Sequence, residues 1–153
     1  MLADIDKINI ETLVPHKGIM CFLDKVSAYG EDWVRTESLI TKHHLFITEH
    51  GLPAWVGIEY MAQSVAALAG IRDLEKGEPV KVGFLLGTRK YTVNTSHFPI
   101  GGLIRVKAEE IIWGDNGLGA FNCELEVDNY YAQASLNVFQ PSDVQHFLTQ
   151  GQQ

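Results

Sequence analysis

The pattern of apolar positions changes character twice along the chain. CFLDKVSAY (21–29) and DWVRTESLI (32–40) are β-rich runs parted by Gly30-Glu31, a hairpin signal. TKHHLFITEHG (41–51) has no clean period and reads as an irregular loop with apolar anchors. From Pro53 to about Arg72 strand-like alternation stops. The stretch PAWVGIEYMAQSVAALAGIR puts proline at a first helical position, where its missing N–H costs nothing, and it ends ahead of Gly77. Ala62, Ala66, Ala67, Ala69 and Gly70 are small, and Val56, Ile58, Met61, Val65, Leu68 and Ile71 leave little polar surface. A helix apolar nearly all round is expected to be buried. Past EKGEP, four more β-like runs follow, at 80–93, 103–113, 118–127 and 130–139. GDNG (114–117) and DN (128–129) signal tight turns, so the last three predict an antiparallel meander. Ser142 is placed to cap a short helix, DVQHFL, ahead of a Gln- and Gly-rich tail.

Two strands, one long buried helix and four strands make an α+β protein. An antiparallel sheet that covers a helix apolar on most sides must curl around it, which is the hotdog arrangement. Such a sheet leaves an edge free, and pairing two edges buries it, so a dimer is expected.

Composition narrows this further. The 153 residues, 46% hydrophobic, suffice for the core of one domain. No apolar run approaches the ~20 residues that cross a bilayer, and MLADIDKINIE lacks a basic head and apolar h-region, so a soluble, cytoplasmic protein is expected. Cys21 and Cys123 have no metal-ligand spacing and read as buried free thiols. A formal net charge of −7 argues against a nucleic-acid backbone as partner. Arg89-Lys90 and Arg105/Lys107 are the local basic concentrations.

Glu59, on a helix expected to be buried, is the most informative residue. Burial of a carboxylate without a partner costs several kcal/mol, so Glu59 must be paired, be hydrogen-bonded, face a cleft, or sit on an exposed strip. Gln63 lies one turn later on the same face. Near a helix start, such a carboxyl is suited to general acid/base work, with free N–H groups at hand to polarise a carbonyl. GFLLG and GLGAF lie in strands, so no phosphate cradle is assigned. His43, His44, Glu49 and His50 lack a ligand spacing and read as a polar loop, with no metal or cofactor expected. Trp55 and Phe84-Leu85-Leu86 read as core, or as the wall of an acyl tunnel.

LVPHKGIMCFLDKV (13–26), LPAWVGIEYMAQSVAALAG (52–70) and VGFLLGTRKYTV (82–93), in this order, resemble the β-hydroxyacyl-carrier-protein dehydratases of bacterial fatty-acid synthesis. The resemblance is closest to a divergent branch associated with aryl-polyene pigment clusters, and it runs from about residue 10 to 140. It implies a hotdog homodimer that dehydrates 3-hydroxyacyl thioesters on an acyl carrier protein to trans-2-enoyl thioesters. The family's helix motif, approximately Pro-Gly-x-x-x-x-Glu-x-x-Ala-Gln, is matched by Pro53, Glu59, Ala62 and Gln63, with Ala54 in place of the glycine. Glu59 is then the catalytic carboxylate and Gln63 its support. The amides around Ala54 and Trp55 would be donors to the thioester carbonyl. Arg89, Lys90 and Lys17 are candidate contacts for the acidic carrier.

The family's histidine, supplied by the other subunit, starts a His-Phe-Pro-Gly motif about fourteen positions before the glutamate. Here that position is Leu45. His16, in the Pro-His-(Arg/Lys)-x-x-Met stretch shared with the divergent branch, is the first replacement; His50 and His44 are the alternatives, and His43 is also within reach. His97-Phe98-Pro99 repeats the letters of the motif after the helix, between strands, and His97 reads as a loop histidine beside a Pro99/Gly101-Gly102 turn. Neutral histidine takes the proton α to the thioester, and a carboxylic acid held neutral by burial gives one to the departing hydroxyl. A hotdog thioesterase and a catalytically silent acyl-binding subunit are the competing readings.

Overall fold

A computed structural model describes residues 1–141. The helix expected after Ser142 lies outside the described residues. Eight strands and one α-helix follow in the order β1 (Lys25–Tyr29), β2 (Trp33–Leu39), β3 (Leu52–Pro53), α1 (Gly57–Glu75), β4 (Phe84–Val93), β5 (His97–Phe98), β6 (Leu103–Trp113), β7 (Leu118–Val127) and β8 (Tyr130–Phe139). Six of them form one antiparallel sheet in the order β1-β2-β6-β7-β8-β4. β3 and β5 pair separately. This is the α+β hotdog architecture.

Strict alternation builds the inner face. β7 buries Phe121, Cys123, Leu125 and Val127 while Asn122, Glu124 and Glu126 face out; β8 buries Ala132, Ala134, Leu136 and Val138. Against that face lies α1, of whose nineteen residues only Glu75 is exposed. The buried Ser64 donates to the Tyr60 carbonyl at 2.7 Å and meets the Thr36 hydroxyl of β2 at 2.8 Å, so this polar pair costs the core little.

The sheet alone does not cover α1. Residues 10–23 run along its other side, with Ile10, Leu13, Val14, Phe22 and Leu23 in the core. The contact is backbone to backbone: a Cβ added at Gly70 would stand 1.8 Å from the Leu13 carbonyl oxygen. The small residues of the helix therefore serve close approach as well as burial.

Element boundaries differ from the expectation in three places. The first strand begins at Lys25 and not at residue 21, because the Phe22 N–H is held by Gln63 of α1 instead of the sheet. Pro53 sits in β3, opposite His97, and not in the helix; a 3-10 turn at Ala54–Val56 separates it from α1. The third long strand starts at Phe84, since the Lys81 backbone N–H donates to the Asp73 carboxylate and ties that segment to the helix end. α1 itself runs on to Glu75 and closes in a Schellman turn, with Gly77 (φ 72°) donating to Leu74 and Glu78 to Asp73.

Gly70→Ala is expected to cost about 3 kcal/mol, the upper range for overpacking a tight site. The check is a chemical-denaturation midpoint, which should fall with its slope unchanged.

Candidate active site

The described part of the site begins with a fully buried amide. Gln63 projects from α1 and makes three hydrogen bonds: its Nε2 donates to the Met20 carbonyl (2.8 Å) and to Glu59 Oε1 (3.0 Å), and its Oε1 accepts from the Phe22 N–H (2.8 Å). The amide has one orientation only, because exchanging O and N would set donor against donor at Phe22 and acceptor against acceptor at Met20. Gln63 thus clamps the segment 20–22 to α1 and aims one oxygen of Glu59.

Just before that segment, the chain turns sharply. Lys17 Nζ donates to the Glu11 and Val14 carbonyls, and the Gly18 N–H donates to Glu11 Oε1 at 2.9 Å. Held at Leu13 by Gly70 and at Met20 and Phe22 by Gln63, the loop presents His16 to the helix. Its Nε2 lies 3.7 Å from Glu59 Oε1. The His16 side chain is 29% exposed and that of Glu59 41%, so both face a solvent-reachable opening. Burial lowers the imidazole pKa below its ordinary value, Glu59 partly opposes this and Lys17 adds to it. His16 Nδ1 is buried and has no hydrogen-bond partner among the described residues. A neutral imidazole and a carboxyl in reach of one another, beside a helix start, are equipped for proton transfer at carbon and oxygen.

Aromatic side chains make the adjoining wall. Phe22 packs on Tyr60 and on Phe46, and Phe46 on Trp55, whose ring is 59% exposed. Ile19, Met20 and Leu45 are exposed as well, so the opening has an apolar rim. A cleft of about 1120 Å³ lies elsewhere, at the C-terminal end of α1, and reaches neither His16 nor Glu59. Its charged walls are already satisfied by the Arg72–Glu110 and Lys81–Asp73 pairs, both at 2.8 Å.

The sequence profile of the ApeP-like family, described as ApeP dehydratase, matches residues 8–149. The chain belongs to the ApeP-like dehydratase family. Its fold is similar to that of the dehydratase heterocomplex ApeI:P from Xenorhabdus doucetiae, with a TM-score of 0.85 and 22% identity over 93% of this chain and 97% of that one. A hypothetical thioesterase protein with coenzyme A from Streptococcus pneumoniae TIGR4 (TM-score 0.58, 9% identity, 76% of this chain and 86% of that one) and the E. coli PaaI protein (0.58, 8%, 74% and 80%) share the fold. No curated protein matches significantly.

In this ApeP-like dehydratase the residues named from sequence divide clearly. His16, Glu59 and Gln63 come together in one chain, whereas the resemblance implied a histidine from the other subunit. His44 does not reach Glu59: its ring stacks on Tyr60, its Nδ1 accepts from the Phe46 N–H at 3.0 Å, and its Nε2 is buried without a partner. His43 and His50 are exposed, His50 against its own neighbour Glu49 at 3.2 Å. His97 occupies the short strand β5 and not a loop, with Nδ1 3.0 Å from Ser96 Oγ. The turn beyond it forms as expected, Gly102 donating to Pro99. Ala54 is not a free donor, because its N–H already donates to the Ser96 carbonyl at 2.9 Å; Trp55 N–H has no acceptor among the described residues. Lys17 is folded back on backbone carbonyls, which leaves Arg89 and Lys90 as exposed cations. Cys123 is buried and Cys21 half-buried. Among the described residues no cluster of three or more His, Cys, Asp or Glu is arranged for a metal, and no helix is long and apolar enough to cross a membrane.

The Glu59 side chain is 41% exposed, in keeping with the open cleft or exposed strip among the alternatives, so in the free protein burial does not enclose its carboxyl.

An NMR titration of His16 is expected to give a pKa below 6.5. Removing the neighbouring negative charge with Glu59→Gln should lower it further, since Glu59 is what opposes the burial effect. Gln63→Ala should cost about 2 kcal/mol in an unfolding experiment, by stranding the Phe22 N–H and the Met20 carbonyl.

Proposed function

We propose that this dehydratase removes water from 3-hydroxyacyl thioesters carried by acyl carrier protein and forms trans-2-enoyl thioesters, in a fatty-acid or polyene pathway. The observation that carries the reading is the 3.7 Å pair of His16 and Glu59, fixed by Gln63. Neutral His16 takes a proton from the carbon α to the thioester. The electron pair forms the C2–C3 double bond, and the hydroxyl leaves C3 with a proton from Glu59, so water is the only product besides the enoyl thioester. The imidazolium then returns its proton to the carboxylate across the same short gap, and both groups are reset.

Substrate binding completes the environment. An acyl chain lying against Phe22, Phe46 and Trp55 covers the exposed part of Glu59 and excludes water from the pair. The Trp55 N–H at the start of the helix is the donor for the thioester carbonyl. Arg89 and Lys90 offer the acidic carrier a salt-sensitive docking point.

The edge strand β4 supports an assembly of two hotdog subunits. Leu85 and Leu86 on it are exposed, and among the described residues it is the last strand of the sheet. We take the second subunit to be a copy of this chain. The similar ApeI:P chain belongs to a heterocomplex, so a sister subunit is the outcome that light scattering of the purified protein distinguishes.

Incubated with a 3-hydroxyacyl carrier-protein thioester, the protein is expected to give a product lighter by one water, measured by mass. Released free acid would mean a thioesterase, and unchanged thioester a silent subunit. Glu59→Gln and His16→Ala should each slow water loss at least ~100-fold while leaving the chain folded. Retained activity in His16→Ala would move the base to the 43–50 loop. Because His16 must be neutral and its pKa is lowered, the loss of kcat/KM that comes from protonating His16 should appear only below pH 6.5.

A further inference from the structure

We infer that Tyr91 is a positioning residue for the dehydration, which polarises the Ala54–Trp55 peptide and fixes its N–H as the single donor to the thioester carbonyl. The inference rests on the dehydratase reading above and deepens it at one peptide unit.

The geometry starts in β4. Its pairing with β8 slips between Arg89 and Thr92, where the strand carries one residue more than its partner, and Lys90 there has φ 55°. A non-glycine residue in the left-handed region within a strand marks a bulge that re-aims a side chain. The side chain re-aimed is Tyr91, half-buried against the core. Its hydroxyl reaches the start of the helix and donates to the Ala54 carbonyl at 2.5 Å. Gly57 leaves the space for it, since a Cβ added there would stand 2.5 Å from the phenol oxygen. Burial pushes the phenol pKa up to about 12, so at neutral pH the group is a donor.

What the hydroxyl touches decides its role. The Ala54 carbonyl and the Trp55 N–H are two ends of one peptide. The carbonyl accepts from Tyr91 and from the Gly57 N–H, while the preceding amide, Ala54 N–H, is held by Ser96. Hydrogen bonds to a carbonyl draw electron density from the amide of the same unit and strengthen it as a donor. The plane is therefore fixed from both sides, and Trp55 N–H is left to bond a ligand. Such a preorganised donor does not reorient as charge develops on the thioester oxygen.

Tyr91→Phe keeps the ring and removes only the hydroxyl. With a 3-hydroxyacyl carrier-protein thioester, kcat is expected to fall about tenfold with KM unchanged, less than the loss of a whole donor because the N–H remains. The unfolding midpoint should fall only slightly, by the worth of one hydrogen bond. A second readout does not need turnover: the Trp55 backbone nitrogen resonance should shift in the free variant, and a non-reactive 3-hydroxyacyl pantetheine amide should move the Trp55 amide proton less than in the native protein. Native kcat with an unmoved Trp55 resonance overturns the inference, as does a native Trp55 amide that ignores the analogue. A loss of kcat with an unmoved Trp55 resonance also overturns it and makes Tyr91 a packing residue. If the native protein binds the analogue but dehydrates nothing, the dehydratase reading fails, and the Trp55 resonances still decide the role of Tyr91.

Discussion

The site depends on one buried amide. Gln63 has no exposure to water, so each of its polar atoms must find a partner within the protein, and the three it finds belong to two different parts of the chain. Two bonds hold the backbone at Met20 and Phe22 to the helix; the third orients Glu59. Two turns further along α1, Gly70 lets the Leu13 backbone pack directly on the helix. Between these anchors the N-terminal segment has little freedom, and His16 is delivered to Glu59 by the same contacts that close the core. Packing and chemistry are set by one arrangement.

The electrostatics follow from where this leaves the pair. His16 is buried enough to disfavour its charge and close enough to Glu59 for that cost to be partly offset. Glu59 keeps an open side toward the apolar rim, which is where a substrate must come. In the proposed mechanism the free protein holds a base already neutral, and an acyl chain would finish the environment of the carboxyl. The donor end of the site, at Trp55, is ordered separately through β5 and Tyr91.

Much of the fold was legible in the sequence because its main elements are strongly patterned. The period of two in 118–127 and 130–139 and the all-round apolar character of 53–72 leave few ways to build a core. Boundaries were lost where a side chain captured backbone: Asp73 at Lys81 and Gln63 at Phe22 hold segments that read as strand. Pro53 suits a helix start, yet its bridge to His97 places it one turn earlier, since a contact 44 residues away has no local signature. In the site, Glu59 and Gln63 stood out as polar residues on an apolar helix. His16 needed its surrounding motif, because nothing in spacing alone tells which loop folds back to the helix. The occupied Ala54 amide and the part played by Tyr91 had no such signal: both depend on a bulge and a two-residue strand that only the assembled chain reveals.

The central claim is that His16 and Glu59 of the same chain form one catalytic pair. It is tested most directly by mixing subunits: His16→Ala and Glu59→Gln chains, each inactive alone, are co-refolded and assayed for water loss from a 3-hydroxyacyl carrier-protein thioester. With the pair inside one chain, every site in a mixed dimer keeps one lesion, and no activity returns. If the pair instead forms between subunits, one site in each mixed dimer is intact, and roughly a quarter of the native activity should reappear on random association of a symmetric dimer, which would contradict the account.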